Sequence, residues 1–187
     1  MSQRKEQKEE TKRRILEAAS QSFKEGGYGG IGIDGLAKKA GVTSGAFYVH
    51  FKSKAEAFKA SVVAGLIEVQ EAVLHLQKAH GKAWWSEFAK VYMGHKRTCD
   101  LHESCALQSI TPEVARFDEA TKKAYEEELK KIIELASTNV PKENQDKVWA
   151  NFAMLVGGVT LARAVNDQSI AEEIAVSIEN SIYQIES

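Results

Sequence analysis

The chain has 187 residues, of which 43% are hydrophobic and 27% are charged, and it contains two prolines. This composition excludes collagen-like and strongly disordered classes and is typical of one or two globular domains. No apolar run approaches the roughly 18 residues that a membrane span requires, and the N-terminus lacks a signal-peptide core, so we expect a cytoplasmic protein with no membrane partner. Cys99 and Cys105 are too few for a disulfide framework or a zinc site, and no motif indicates a metal or another cofactor.

The formal net charge of −1 conceals an uneven distribution of charge. Residues 1–61 contain 12 Lys or Arg and 7 Asp or Glu, a balance of +5, whereas the remainder contains 13 and 19, a balance of −6. A basic segment on an otherwise acidic chain is consistent with a surface that binds a polyanion, although a solvated helix face has the same composition. The charge pattern therefore indicates where a nucleic acid would bind, without establishing that one does.

Apolar residues recur at spacings of three and four along nearly the whole chain, which predicts an all-α protein. The first helix is amphipathic and is expected to end at Gly26 and Gly27, because glycine favours the left-handed C-terminal conformation. A second helix is predicted over residues 33–40, followed by a sharp turn at Gly41. Thr43 or Ser44 can then cap a short third helix.

Ser53 and Glu56 have the spacing of a capping box, which predicts the start of a long fourth helix that runs nearly to Gly81. Ser169 and Glu172 have the same spacing and predict the start of the last helix. Further helices, about nine in all, are predicted over residues 83–96, 112–137, 142–165 and 170–185.

Residues 33–52 consist of two short predicted helices separated by a glycine turn, which is the spacing of a helix-turn-helix. The second helix of such a motif enters the DNA major groove, so its exposed side carries small, polar and aromatic groups while its inner side packs on the first helix. Tyr48 and His50 fit the exposed side. We expect Phe47 and Phe51 to pack in the core rather than to contact DNA.

The stretch from Thr11 to Phe58, about a quarter of the chain, resembles the N-terminal domain of the tetracycline-repressor (TetR) family. Its most specific part is GVTSGAFYVHFKSKAEAF, in which the glycine, the aromatic residues and the basic capping box have the family's spacing. The resemblance implies a helix-turn-helix domain over residues 1–56 and a larger effector-binding and dimerisation domain over residues 57–187. It also implies a homodimeric repressor that binds a palindromic operator in double-stranded DNA and leaves it when a small apolar or aromatic effector binds.

The resemblance also implies which residues contact DNA. Those expected to approach bases or phosphates are Thr43, Ser44, Gly45, Ala46, Tyr48, His50, Lys52 and Lys54. The chain departs from the family pattern just before the second helix, where members usually have Ser or Thr and this chain has Gly32. Glycine permits the cap geometry but offers no hydroxyl to a phosphate.

The last two predicted helices carry apolar stripes that could pair two copies of the chain. The residues assigned to this surface are Leu155, Val159, Ala162, Ile170, Ile174, Ile178 and Ile182, with Gly157 and Gly158 allowing close helix approach. In the TetR family the final two helices form a four-helix bundle across a two-fold axis. An intramolecular core is the alternative, since it has the same periodicity.

The middle helices contain aromatic residues that could line an effector cavity with polar tips. The candidates are Phe88, Tyr92, His95, Cys105, Phe117 and Phe152. Most buried aromatics serve only as core, so the set suggests an aromatic or apolar effector more strongly than any one member does. Cys105 matches the position at which some TetR proteins sense electrophiles, and a buried, inert thiol is the alternative.

Two other classes of function are compatible with the sequence. An enzyme could use a Cys-His site built from His95, His102, Glu103 and Cys105, although no nucleophile elbow or phosphate loop is present. A helical scaffold would explain the apolar stripes but not the basic segment. DNA binding that weakens steeply as salt rises would distinguish a regulator from both.

Overall fold

The computed structural model describes residues 3–182, and every regular element within that range is helical. The N-terminal helices are α1 (Gln3–Gly26), α2 (Ile33–Lys39), α3 (Ser44–His50) and α4 (Lys54–His80). The middle helices are α5 (Trp84–Met93), α6 (His95–Thr98), α7 (Ala106–Ser109) and α8 (Thr111–Val114). The C-terminal helices are α9 (Glu119–Ala136), α10 (Gln145–Ala164) and α11 (Gln168–Ser181). The all-α prediction is confirmed.

Local capping explains where the observed helix boundaries differ from the predicted ones. The predicted helix over residues 112–137 is divided into α8 and α9, because the Asp118 carboxylate accepts a hydrogen bond from the Thr121 N–H (2.7 Å) at the start of α9. The predicted capping box at Ser169 is wrong. Asp167 caps α11 instead, and its carboxylate accepts a hydrogen bond from the Ser169 N–H at 2.8 Å.

The chain divides into two compact units whose boundary lies within α4. The first unit extends to Gly65 and also contains Leu101–Tyr125, whereas the second unit contains Leu66–Asp100 and the chain from Glu126 onward. The first unit is therefore larger than the segment 1–56 that the sequence suggests for the helix-turn-helix domain.

Aromatic contacts explain why Leu101–Tyr125 belongs to the first unit. The Phe117 ring lies 4.6 Å from the Phe58 ring and 4.8 Å from the Tyr28 ring, measured between centroids. Phe58 in turn contacts Phe23 edge-on at 5.2 Å, and both are completely buried. Each ring of this kind removed from water contributes about 1.5–3 kcal/mol, so the cluster gives the first unit a core of its own.

The second unit is organised by α10, which packs on α5 and α11. Gly158 permits the close approach of α10 and α11, because a methyl group at that position would lie 2.9 Å from Ile178 Cγ1 and 3.3 Å from Met93 Cε. At Gly157 such a methyl group would meet nothing within 4 Å. Of the two glycines predicted to allow helix packing, only Gly158 does so within the chain.

Candidate DNA interface

The turn between α2 and α3 is built around Gly41, whose φ of 65° lies in the left-handed region that favours glycine. The Val42 N–H donates to the Ala37 carbonyl at 2.9 Å and closes the end of α2. Arg14 on α1 holds this turn, since its Nη2 donates to the Gly41 carbonyl (3.0 Å) and to the Ala40 carbonyl. The orientation of α1 relative to the helix-turn-helix is therefore set by a side chain as well as by the core.

Two hydroxyl groups define the start of α3. Thr43 is the N-cap, and its Oγ1 accepts a hydrogen bond from the Ala46 N–H at 3.1 Å, which confirms one of the two predicted caps. The Ser44 hydroxyl donates instead to Asp34 Oδ1 on α2 at 2.5 Å. Ser44 thus links the two helices of the motif, a role that sequence reasoning missed because it depends on how α2 and α3 cross.

The side chains of α3 separate into a buried face and an exposed face. Phe47 and Phe51 are buried, as predicted, whereas Tyr48 is 53% exposed and Gly45 is also exposed. Val49 is 69% exposed. It was not among the candidate DNA contacts predicted from the sequence, because an apolar residue in a helical stripe is normally assigned to the core. Its position four residues after Gly45 could have placed it on the same face.

His50 lies at the end of α3 and is half-buried. Burial is the largest influence that lowers its pKa below 6.5, and the charges of Lys8 and Lys12 on α1 lower it further while Glu9 opposes them. The lowered pKa therefore favours the neutral imidazole at pH 7. In that form one ring nitrogen donates a hydrogen bond and the other accepts one.

The predicted capping box forms at the start of α4. The Glu56 N–H donates to Ser53 Oγ at 3.1 Å, and Glu56 Oε2 accepts from the Lys52 N–H at 2.7 Å. The Lys52 side chain is exposed, while Lys54 Nζ lies over the Tyr28 ring, 4.3 Å from its centroid. The box thus places two cations just beyond the end of α3.

The six residues predicted to bind an effector do not form one cluster. Phe88, Tyr92 and Phe152 are buried together in the second unit, with the Phe88 ring 5.5 Å from Tyr92 and 5.7 Å from Phe152. Phe117 and Cys105 belong to the first unit, and His95 is exposed.

The structure adds two tryptophans to the aromatic cluster of the second unit. Trp85 contacts Phe152 at 5.3 Å and stacks on Trp84 at 4.2 Å. Both indole Nε1 atoms are buried and have no hydrogen-bond partner among residues 3–182. A buried donor without an acceptor costs roughly 1–3 kcal/mol, so this pair is an unusual feature of an otherwise apolar core.

Residues predicted to form the dimer surface are mostly internal. Leu155, Val159 and Ala162 on α10 and Ile182 after α11 are buried within the single chain. Ile174 and Ile178 are half-buried, and Ile170 is exposed. The periodicity therefore identified chiefly the face that joins α10 to the rest of the second unit, and the exposed apolar residues lie on other faces of the two helices.

The exposed face of α10 and α11 contains both large and small residues. Leu161 is 61% exposed and Trp149 is 49% exposed, and Ile170 and Val176 on α11 are similarly accessible. The small residues on the same side of α10 are Ala153, Gly157, Thr160 and Ala164, at spacings of three and four. We name these exposed residues together, the four small residues with Trp149 and Leu161 on α10 and with Ile170 and Val176 on α11, the α10/α11 apolar face.

Known proteins share the segment that contains the helix-turn-helix. The family model described as "Bacterial regulatory proteins, tetR family" matches residues 15–60. The HTH-type transcriptional regulator SrpR of Pseudomonas putida is 46% identical over 52 residues, which are 28% of this chain and 24% of that protein. The HTH-type transcriptional regulator AcrR of Shigella flexneri is 41% identical over 54 residues, 29% and 25% of the two chains. The match thus spans about a quarter of these curated relatives.

Solved structures resemble the chain over nearly its whole length. The TetR-family transcriptional regulator from Cytophaga hutchinsonii has a TM-score of 0.77 and 17% identity, covering 100% of this chain and 99% of that one. At this identity the likeness shows the fold.

The helices of residues 3–182 include none with the length and apolar character of a membrane span.

Proposed function

We propose that this chain, whose residues 15–60 match the tetR family of bacterial regulatory proteins, is a repressor that binds a palindromic operator as a homodimer and releases it when a small effector binds. The exposed face of α3 is the observation that carries this proposal. Tyr48 and Val49 are exposed on a short helix whose other side packs on the core through Phe47. A helix that enters a major groove requires this arrangement.

Phosphate contacts are assigned to groups at the two ends of this helix. Gly45 and Ala46 bring the backbone at the start of α3 to the surface, and His50, Lys52 and Lys54 surround its end. Tyr48 supplies a phenol to either a phosphate or a base edge. Val49 adds an apolar group that can contact a thymine methyl, the one apolar feature of the major groove.

Dimerisation is assigned to the α10/α11 apolar face. Small residues along α10 let a second helix approach closely, while Leu161 and Trp149 supply large apolar groups whose burial would stabilise the pair. A two-fold axis through this face would give each dimer two α3 helices, which accounts for a palindromic operator with half-sites about one DNA turn apart.

The effector is assigned to the aromatic cluster of the second unit. Phe88, Tyr92 and Phe152 favour an apolar or aromatic ligand, and the Trp84 and Trp85 indole N–H groups favour one that carries a hydrogen-bond acceptor. Such a ligand would satisfy donors that the protein core leaves unpaired.

Release of DNA requires the effector to favour a conformation in which the two α3 helices no longer match successive major grooves. α4 is suited to transmit the change, because it is one continuous helix from Lys54 at the DNA end to His80 and contributes residues to both units. A shift of this helix within the second unit would move the backbone that carries Lys54.

Selection of random duplex DNA by the purified protein tests the proposed function. We expect enrichment of a palindromic sequence, and Tyr48→Ala should lose affinity for it while Tyr48→Phe distinguishes the phenol hydroxyl from the ring. Val91→Ala, an exposed position on α5, is the matched control and should bind as the wild type does. Failure to enrich any sequence at modest salt would contradict the proposal.

A further inference from the structure

The N-terminal part of α1 extends beyond the core of the first unit. Ile15 is the first buried residue of this helix, and the twelve positions before it, from Gln3 onward, are helical and almost entirely exposed. At about 1.5 Å per residue the extension is roughly 18 Å long. An exposed helix of this length needs a reason, because it buries almost none of its own surface.

Charges are sorted by face along this extension. Arg4, Lys8 and Lys12 follow one another at intervals of four, and the same face continues into the buried residues Ile15 and Ala19. We name the row of Arg4, Lys8 and Lys12 the basic face of α1.

The opposite side of α1 is neutralised by its own ion pairs. Arg13 Nη2 lies 2.7 Å from Glu10 Oε1, and Arg13 Nη1 lies 3.5 Å from Glu17 Oε2. Among the ion pairs of the described chain, none involves a residue of the basic face. The positive charge of the extension is thus concentrated on one side.

Two observations place α1 beside α3 within the first unit. Arg14 fixes α1 to the turn before α3 through the carbonyls of Ala40 and Gly41. Lys8 and Lys12 are close enough to His50, at the end of α3, to lower its pKa. Lys8 and Lys12 therefore lie near the end of α3, two residues along the chain from the exposed Tyr48.

We propose that the basic face of α1 binds the phosphate backbone of the operator duplex outside the major-groove segment contacted by α3. The inference rests on the proposed function, since it assumes that α3 docks on duplex DNA. It concerns residues that precede the matched family segment, which begins at residue 15. Each cation placed on a phosphate releases a counterion, so the contact has a measurable salt dependence.

The test compares Lys8→Gln/Lys12→Gln with Lys78→Gln/Lys82→Gln on the selected operator at several salt concentrations. The control pair removes the same charge from exposed positions in the second unit, and glutamine retains helix propensity at all four sites. Each lost phosphate contact should reduce the slope of log affinity against log salt by about 0.9. The Lys8/Lys12 variant removes two cations from each protomer of the proposed dimer, so its slope should fall by up to about 3.6, while the slope of the control should not change. The loss should be similar for operator and for unrelated DNA, because phosphates carry no sequence information.

Footprinting with hydroxyl radicals supplies a second readout on the same variants. The wild type should protect sugars beyond the α3 half-site, and this outer protection should disappear in Lys8→Gln/Lys12→Gln. If wild type selects an operator that Tyr48→Ala loses, but the lysine variant keeps the wild-type slope and footprint, the inference about α1 is overturned while the proposed function stands. Absence of any operator would overturn both.

Discussion

Glu113 on α8 holds the backbone at Tyr28: its Oε2 accepts a hydrogen bond from the Tyr28 N–H at 2.6 Å. Gly27 lies directly beneath the same carboxylate, and its φ of 67° is the left-handed conformation that glycine adopts without strain. One side chain from Leu101–Tyr125 thus fastens the connection between α1 and α2, 85 residues away in sequence.

Glu113→Ala should therefore destabilise the first unit. A hydrogen bond to a charged group contributes about 1.5–3 kcal/mol, and its removal leaves the Tyr28 N–H without this acceptor. Urea denaturation should show a lower midpoint with an unchanged slope. Glu119→Ala, an exposed carboxylate in the same segment, is the control, and equal stability of the two variants would contradict the role of Glu113.

Gly158→Ala should destabilise the second unit by about 1–3 kcal/mol, because the added methyl group would lie 2.9 Å from Ile178 Cγ1. Gly157→Ala is the matched control, since its methyl group would meet nothing within 4 Å and alanine favours the helix by up to about 1 kcal/mol. Both should be measured in a Leu161→Glu background, so that dimerisation does not enter the comparison. Similar free energies of unfolding for the two variants would show that α10 and α11 can separate without penalty.

Leu161→Glu should convert the proposed dimer to monomer, because it places a charge at the most exposed apolar position of the α10/α11 apolar face. Sedimentation velocity at micromolar protein concentration measures the change. Leu74→Glu is the control, as Leu74 is an exposed apolar residue on α4 and should leave the mass unchanged. A wild-type protein that is monomeric would refute the assignment at once.

Trp149→Phe should leave tryptophan emission only from the buried pair, since the chain contains Trp84, Trp85 and Trp149. In this variant, a compound that releases operator DNA should also shift or quench the emission, because it would contact the indole rings. Small phenols, quinones and aromatic carboxylates are suitable probes. Adding Trp85→Phe should reduce the response while operator binding persists. Release of DNA without any change in emission would show that the effector binds elsewhere.

His50 should titrate below pH 6.5 in the folded protein, as proton NMR of its ring can measure. The unfolded chain then binds the proton first as pH falls, so stability decreases from about pH 6.5 downward until the folded-state pKa is passed. His50→Gln should remove this part of the pH dependence. Lys8→Gln/Lys12→Gln should raise the pKa of His50; an unchanged value would mean that α1 and α3 are further apart than the structure indicates.

Features that depend on neighbouring residues could be derived from the sequence alone. Helix periodicity, the Thr43 cap and the Ser53–Glu56 capping box involve groups only a few residues apart, so residue type nearly determines the hydrogen bond. The same holds for the glycine turn at Gly41, whose positive φ few other residues tolerate.

Tertiary packing decided which partner each apolar stripe meets. A stripe such as Leu155, Val159 and Ala162 has the same periodicity whether it packs inside one chain or between two, and only the position of α5 and α11 shows that it is internal. Three other contacts likewise depend on the tertiary structure, because they join residues on different elements. They are the ring contact of Phe117 with Phe58, the hydrogen bond from Ser44 to Asp34 and the hydrogen bond from Arg14 to the Gly41 carbonyl. Residue type shows that a side chain needs a partner, while the course of the backbone determines which partner is within reach.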